Sequence, residues 1–134
     1  MTFTVENNGE AQVAQLLKGL LGTETFGSWI NGELVEGKGE AINLVNPATG
    51  QAFLQYQDAG EQNVDAAAQA AVVAQRQWWS MTATARGRAM YNCGQKVREA
   101  AEQLAQLESI SAGKPIRDCR VEVSKVSEMF EYYA

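Results

Sequence analysis

Residues 29–51 read WINGELVEGKGEAINLVNPATGQ, and this stretch carries the strongest fold signal in the chain. Two short apolar runs, residues 28–35 and residues 41–47, surround the glycine-containing segment EGKGE at 36–40. Apolar runs on either side of a glycine-containing turn predict a β-hairpin. The sequence therefore predicts that the two runs pair with each other across EGKGE.

A second turn is predicted at NPATG. Pro47 has a fixed φ and restricts the residue before it to extended backbone, and Gly50 can take positive φ. Residues 51–57 follow, with apolar side chains alternating against polar ones as in a half-buried strand. The apolar positions of this predicted strand are Ala52, Leu54 and Tyr56.

After Gly60 the apolar period changes from two residues to about 3.6, which indicates helices. The predicted helices cover 61–79, 83–110 and 117–134, and a break of the second one near Ala100 stays open. The fold class predicted from pattern alone is thus a β element followed by three or four α-helices.

Two local signals mark the helix ends. Thr82 or Thr84 can cap the second helix, because a threonine hydroxyl accepts from a free backbone amide of the first turn. Gly113, followed by Pro115, predicts the stop before the last helix.

Residues 1–26 are interpreted as a leader with a short amphipathic helix. The segment EAQVAQLLKGLLG, residues 10–22, carries an apolar side and ends at a glycine. We expect this helix to pack on the body of the protein rather than on a membrane or a partner helix. The apolar side consists of Val13, Leu16, Leu17, Leu20 and Leu21.

Composition excludes several classes of function. The 134-residue chain has a net charge of -5, with 11 basic residues scattered among 16 acidic ones, so its surface would repel nucleic-acid phosphates. No apolar run approaches the ~18 residues of a membrane span, and no signal peptide is predicted at the N-terminus. Two cysteines outside any C-x-x-C pattern fit a reducing cytoplasm.

The sequence contains no histidine, which excludes imidazole zinc sites and histidine-based catalytic triads. Cys93 is predicted to face inward with Met90 and Val97. Cys119 lies near a helix start, where the dipole could lower its pKa, although a structural role is favoured. The glutamates of the helices have basic neighbours and are interpreted as solvated faces.

The segment AGKP at 112–115 differs from a phosphate-binding loop. Such a loop needs G-x-x-x-x-G-K-[ST], but Glu108 stands at the first glycine position and Pro115 at the hydroxyl position. A helix stop is the favoured interpretation. From the residues alone, the chain contains no catalytic and no cofactor-binding site.

Four motifs in order resemble the NAD(P)-dependent aldehyde dehydrogenase family. Residues 29–51 are similar to the family's opening hairpin, and VDAAAQAAVVAQRQWWSMTATARGRAM at 64–90 to its first helix, tryptophan and second-helix start. LAQLESISAGKPIRD at 104–118 resembles the family's LA-x-LET-x-x-x-GKP, and EMFEYYA at 128–134 its F-R-YYAG. The matching spacing covers about Trp29 to Ala134.

The resemblance implies an α/β parent fold, in which residues 27–134 form the early part of a Rossmann-like cofactor-binding domain. It implies NAD or NADP as cofactor, and oxidation of an aldehyde through a cysteine thioester. The family's catalytic cysteine, general base and cofactor-gripping residues lie further along its chain. The expected partner is therefore the remainder of such a chain, the parent is expected to be a homo-oligomer, and this segment alone should bind no cofactor and be inactive.

Two site assignments also follow only from the resemblance. Many members hold a monovalent cation with backbone carbonyls before the NP turn and a carboxylate before GKP, which match Leu44, Val45 and Ser111. Ser111 replaces the carboxylate, so the cation should bind weakly. Lys125 matches a position at the substrate entrance, and a solvated lysine is the simpler alternative.

A different class of function stays open, namely a stand-alone, non-catalytic helical module that binds a protein partner. The last helix favours the aldehyde dehydrogenase segment, because its apolar stripe reaches the end of the sequence without a stop signal. The coding sequence after Ala134 would distinguish the two. The stripe consists of Val126, Met129, Phe130 and Tyr133.

Overall fold

The computed structural model describes residues 9–23 and 26–134. Its elements are α1 (Gly9–Leu21), β1 (Ser28–Ile30), β2 (Glu33–Val35), β3 (Ala41–Val45), β4 (Ala52–Gln57), α2 (Gly60–Ser80), α3 (Ala83–Glu99), α4 (Ala101–Ala112) and α5 (Ile116–Tyr132). Four helices follow the strands, which confirms the predicted order. None of the helices within the described ranges has the length and apolar character that a bilayer span requires.

The strands form two separate hairpins, so the predicted pairing across EGKGE is wrong. β1 pairs antiparallel with β2, and β3 pairs antiparallel with β4. Asn31 and Gly32 take φ of 52° and 85°, and positive φ at both central residues is the backbone of a type I′ turn. Because this turn joins β1 directly to β2, the chain reverses before it reaches EGKGE.

The EGKGE segment instead runs beside the start of α2. The Lys38 amide donates to the Ala59 carbonyl at 3.2 Å, and the Asp58 amide donates to the Glu40 carbonyl at 2.8 Å. The Asp58 carboxylate accepts from the Gly60 amide at 2.9 Å, at the first residue of α2. These bonds tie the second hairpin to the helix that follows it.

One apolar cluster, called here the N-terminal cluster, joins α1 to the second hairpin and to α4. Phe53 is the buried residue of β4, whereas Ala52, predicted as an inward position, is exposed. The predicted packing of α1 on the body is confirmed. The cluster consists of buried Val13, Leu17 and Phe53, with half-buried Phe26, Leu44, Leu54, Leu107 and Ile110 against them.

A second cluster, called here the helical cluster, lies between α3, α4 and α5. Ala100, with φ -96° and ψ 8°, separates α3 from α4, which settles the open question of a break there. α4 contributes to both clusters and connects them. The helical cluster consists of buried Ala105, Cys119 and Val123, with half-buried Val97, Ala101, Leu104 and Ile116.

The predicted helix ends are confirmed in detail. The Thr82 hydroxyl accepts from the Ala85 amide at 3.2 Å and caps α3. Gly113 takes a left-handed φ of 69° and ends α4, and α5 begins right after Pro115.

Much less of α2 than of the other helices is packed against the rest of the described chain. Alanines of α2 face β1, and the Asn63 side-chain amide donates to the Glu36 carbonyl at 2.8 Å. At the end of α2, Trp79 is exposed and Trp78 is half-buried. The hairpin is too small to cover more than one side of a 21-residue helix.

Candidate functional site

Among the described elements, α3 and α5 share the most extensive contact. Ser127 is buried, and its hydroxyl donates to the Gly94 carbonyl at 2.9 Å. Near the end of α5, the Glu131 carboxylate accepts from Arg98 and from Gln95, each at 2.8 Å. The absence of a side chain at Gly94 allows the backbones to approach, and the polar contacts then fix the rotation of α5 about its axis.

This rotation leaves an open apolar groove between α3 and α5. The groove has a volume of about 260 Å³ and almost no polar lining. All four residues of the apolar stripe near the end of the sequence line it. The lining residues are Met90, Val126, Met129, Phe130 and Tyr133.

Lys125 is not one of the residues that line this groove. Its side chain is exposed on α5, and two residues further along the helix correspond to a rotation of about 200°. Lys125 therefore points away from the buried side that Ser127 occupies. The structure places it in solvent, one turn from Glu122 and on the outer face of the helix.

The AGKP segment forms the joint between α4 and α5. The Lys114 ammonium contacts both Glu108, at 3.0 Å, and Glu122, and these two carboxylates raise the pKa of Lys114. Its backbone carbonyl accepts from the Ser109 hydroxyl at 2.8 Å. A lysine held by two carboxylates has no free charge for a phosphate, so the helix-stop interpretation agrees with the contacts.

The residues matched to the family's cation site lie on neighbouring elements. Leu44 is half-buried in the N-terminal cluster, Val45 is exposed at the end of β3, and Ser111 lies in the last turn of α4. The end of β3 lies close to the end of α4. A Cβ on Gly113, which ends α4, would lie 2.5 Å from the Cγ of Pro47, which follows β3.

The oxygens offered at these three positions are all neutral. The Ser111 hydroxyl donates to the Glu108 carbonyl at 3.3 Å, and the Glu108 carboxylate is occupied by Lys114. Within residues 9–23 and 26–134, no cluster of three acidic or cysteine side chains could hold a metal ion. These residues fit a strongly held cation poorly, because nothing at Ser111 compensates its charge.

Neither cysteine has the surroundings of a nucleophile. Cys93 is exposed, so the prediction that it faces inward is wrong: Gly94 occupies the contact with α5, and a step of one residue turns the side chain by about 100°. Cys119 is 0% exposed, and desolvation raises the pKa of its thiol. The alternative of a dipole-activated thiol at Cys119 is therefore wrong.

Sequence reasoning missed the contact between Gly94 and Ser127. Two glycines, Gly87 and Gly94, are spaced seven residues apart on α3; Gly94 lies close to α5, and Gly87 lies close to Ala134, just beyond the end of α5. Two glycines at a heptad spacing in one helix are a usable signal for a close neighbouring helix.

Comparison with known families decides the identity. The model of a family described as "Aldehyde dehydrogenase family" matches residues 34–134. The chain belongs to the aldehyde dehydrogenase family. The match begins within β2 and covers the second hairpin and all of α2 to α5, whereas β1 lies before it.

Solved aldehyde dehydrogenase structures have the same fold over most of this chain. PnpE in complex with nicotinamide adenine dinucleotide is 35% identical, with a TM-score of 0.72 over 78% of this chain and 22% of its own. Betaine aldehyde dehydrogenase from Staphylococcus aureus in complex with NAD+ is 25% identical, with a TM-score of 0.77 over 93% of this chain and 25% of its own.

A third structure shows the fold at lower identity. It is an NAD-dependent benzaldehyde dehydrogenase from Corynebacterium glutamicum, 23% identical, with a TM-score of 0.73 over 78% of this chain and 23% of its own. The chain thus spans about a quarter of the length of these relatives. The resemblance to the family and the expected α/β parent fold are confirmed, and no comparison supports a stand-alone partner-binding module.

Proposed function

We propose that this chain is the N-terminal part of the cofactor-binding domain of an NAD- or NADP-dependent aldehyde dehydrogenase, which oxidises an aldehyde to a carboxylic acid. The observation that carries the proposal is the family match over residues 34–134. The NAD complexes of PnpE and of the betaine aldehyde dehydrogenase support a nicotinamide cofactor. We place the parent protein in the cytoplasm as a homo-oligomer.

The residues of this chain would hold the helices in place and would not take part in the reaction. The contacts of Lys114, which lies between the two helices, position α5 against α4. The hydrogen bond from Ser127 to Gly94 positions α5 against α3. The apolar groove between α3 and α5 would receive the remainder of the chain. The nucleophile and the base would come from that remainder, since Cys119 is buried and Cys93 has no histidine beside it.

We expect the 134-residue chain alone to oxidise no aldehyde. The test follows NAD(P)H production by the purified chain and by the full-length coding sequence, with short and long aldehydes. Turnover by the full-length protein only would support the proposal. Turnover by the short chain that tracks the purified protein would overturn the segment assignment, and an inactive full-length protein would overturn the activity.

For Lys125 we propose a place at the substrate entrance, where its ammonium would favour aldehydes carrying a carboxylate. An exposed or partly desolvated ion pair contributes up to ~1 kcal/mol, which is about fivefold in kcat/KM. The test compares kcat/KM for an acidic and a neutral aldehyde before and after Lys125→Met in the full-length protein. Lys96→Met, at an exposed lysine of α3, is the matched control. An unchanged ratio would remove Lys125 from the site.

For Leu44, Val45 and Ser111 we propose a weak monovalent-cation site. The carbonyls and the hydroxyl supply dipoles but no negative charge. The full-length protein should therefore gain little thermal stability from potassium over a bulky organic cation at equal ionic strength, and Ser111→Asp should enlarge that gain. A large, saturable potassium effect that Ser111→Ala abolishes would contradict the proposal.

A further inference from the structure

Glu131, in the last turn of α5, is held by side chains of α3. One oxygen of its carboxylate accepts from the Arg98 guanidinium and from the Gln95 side-chain amide, each at 2.8 Å. Its Cγ passes over Gly94, where a Cβ would lie 3.2 Å away. The Glu131 side chain is 28% exposed and that of Arg98 48%, so water screens the pair only in part. Glu131 therefore contacts three residues of α3 within about one turn of that helix.

The charge of Glu131 is unfavourable for α5 taken alone. The C-terminal end of a helix carries the negative end of the dipole, so an acidic side chain in the last turn is repelled. α5 has no basic side chain in its last turn, whereas Arg98 lies in the last turn of α3, where a positive charge is favourable. The F-R-YYAG motif also has an arginine where this chain has Glu131. The contact with α3, and not the helix that carries it, thus explains a glutamate at this position.

Two anchors, one turn apart, hold α5 against α3. The Ser127 hydroxyl binds the Gly94 carbonyl, and Glu131 lies four residues, about 6 Å, further along the helix. A helix held at one point alone can swing about that point and fray at its end, because its last four carbonyls lack helical partners. The second anchor removes this freedom. The direction of the other side chains on α5 then depends on it.

We propose that Glu131 is a positioning residue: together with Arg98 it fixes the rotation of α5 and thereby directs Lys125 towards the substrate. The inference rests on the proposed function, in which Lys125 lies at the substrate entrance. Lys125 precedes Glu131 by six residues, which is about 9 Å along the helix axis and about 120° around it. Glu131 therefore acts through the helix and does not touch the aldehyde.

Charge reversal on the 134-residue chain tests whether the pair fixes α5. Glu131→Arg and Arg98→Glu each bring like charges together, so the amides in the last turn of α5 should exchange about fivefold faster with solvent. The double variant recreates an opposite-charge pair and reverses the dipole effect at both helix ends. Its amide-exchange rates should return to within about twofold of the original. Single reversals without effect, or a double variant that exchanges as fast as the singles, would overturn the inference.

Substrate preference of the full-length protein tests the link to Lys125. Each single reversal should lower the ratio of kcat/KM for an acidic aldehyde to that for a neutral one by about threefold, and the double variant should restore it. The loss should lie in KM for the acidic aldehyde at unchanged kcat, because the reacting groups lie elsewhere. In a Lys125→Met background the reversals should leave the ratio unchanged, which a general loss of stability would not reproduce.

An equal loss of preference with and without Lys125, or no loss in its presence, would overturn the positioning role. Lys96→Glu combined with Glu99→Lys is the matched control, because these exposed residues pair at 2.7 Å within α3 alone. It should change neither the amide-exchange rates nor the ratio. If the full-length protein oxidises no aldehyde, the proposed function fails together with the role of Lys125. The amide-exchange rates of the 134-residue chain then decide alone whether Glu131 fixes α5.

Discussion

α2 and α3 are consecutive helices of similar length, yet they have different neighbours. α3 lies against α5 through Gly94 and Ser127 and against α4 through Val97. α2 lies against one small hairpin, and its alanines and valines are largely exposed. Both segments show a helical period in the sequence. A helical period therefore predicts a helix, whereas the residues at the contact decide whether another helix of the same chain can reach it.

Among the substitutions that test this difference between α3 and α2, Gly94→Val should lower the free energy of unfolding most. A Cβ at Gly94 would lie 3.1 Å from the Ser127 carbonyl oxygen and 3.2 Å from Phe130 Cβ, so a branched side chain must push α5 away. Overpacking of this kind costs 1–3 kcal/mol, while replacing a helical glycine returns less than about 1 kcal/mol. We expect a net loss of about 2 kcal/mol in the free energy of unfolding.

The control for this variant lies on α2. Ala68→Val adds a branched side chain at an exposed position, so only helix propensity changes, by roughly 0.5 kcal/mol. Urea unfolding followed by circular dichroism, at a concentration where the chain is monomeric, measures both. Equal losses in the two variants would show that α3 and α2 are covered alike.

A smaller effect is expected from Ser127→Ala. The substitution removes the buried hydroxyl that donates to the Gly94 carbonyl, and a hydrogen bond of this kind contributes about 1 kcal/mol. Ser80→Ala removes a similar bond, 2.7 Å long, from the exposed end of α2 and should cost much less. If Ser80→Ala were the more harmful of the two in the same urea experiment, the assignment of α3–α5 as the tighter contact would be wrong.

The smallest expected effect depends on pH. Arg120 donates two hydrogen bonds to Glu102 and joins α5 to α4, which lowers the pKa of Glu102 from 4.5 to about 2. A carboxyl group with a lowered pKa in the folded state stabilises the fold above its unfolded pKa, and this contribution is lost as the pH falls from about 4.5 towards 2.

We therefore expect the urea midpoint of the original chain to exceed that of Glu102→Gln at pH 6. The two midpoints should converge as the pH approaches 2, where both side chains are neutral. Asp65→Asn on α2 is the control, because Asp65 forms no ion pair within the described ranges. A difference at Glu102 that stays constant from pH 6 to pH 2 would contradict the electrostatic origin.

Much of the fold follows from local signals in the sequence. The helix ends at Thr82 and Gly113 depend on cap chemistry within a few residues, so they could be predicted, whereas the break near Ala100 was left open. The strand pairing was predicted wrongly, because EGKGE and Asn31-Gly32 can both form a turn. The Asn-Gly pair is the stronger hairpin signal and should have been preferred.

The candidate site was harder to predict because it depends on contacts between distant segments. Cys93 and Gly94 differ by one position on α3, and only the crossing with α5 decides which of them is buried. The roles of Lys125 and Ser111 come from family resemblance and remain predictions. The groove between α3 and α5 combines Met90 with residues about 40 positions later, a pairing that helical period alone does not define.

The two apolar clusters close loops of very different length, which has a kinetic consequence. The helical cluster joins residues within 97–123, whereas the N-terminal cluster brings Leu17 to Leu107 across about 90 residues. Closing the longer loop costs roughly 1 kcal/mol more in chain entropy. We expect α3, α4 and α5 to assemble before α1 and the second hairpin dock.

Stopped-flow measurements on two core variants can follow this order. Val123→Ala should mainly slow folding, and Val13→Ala should mainly speed unfolding, because its contacts form after the transition state. The opposite assignment would place the nucleus at the N-terminus. If the expected order holds, α1 and the second hairpin acquire their core only after α5 has been synthesised, so this part of the sequence folds after segments that follow it.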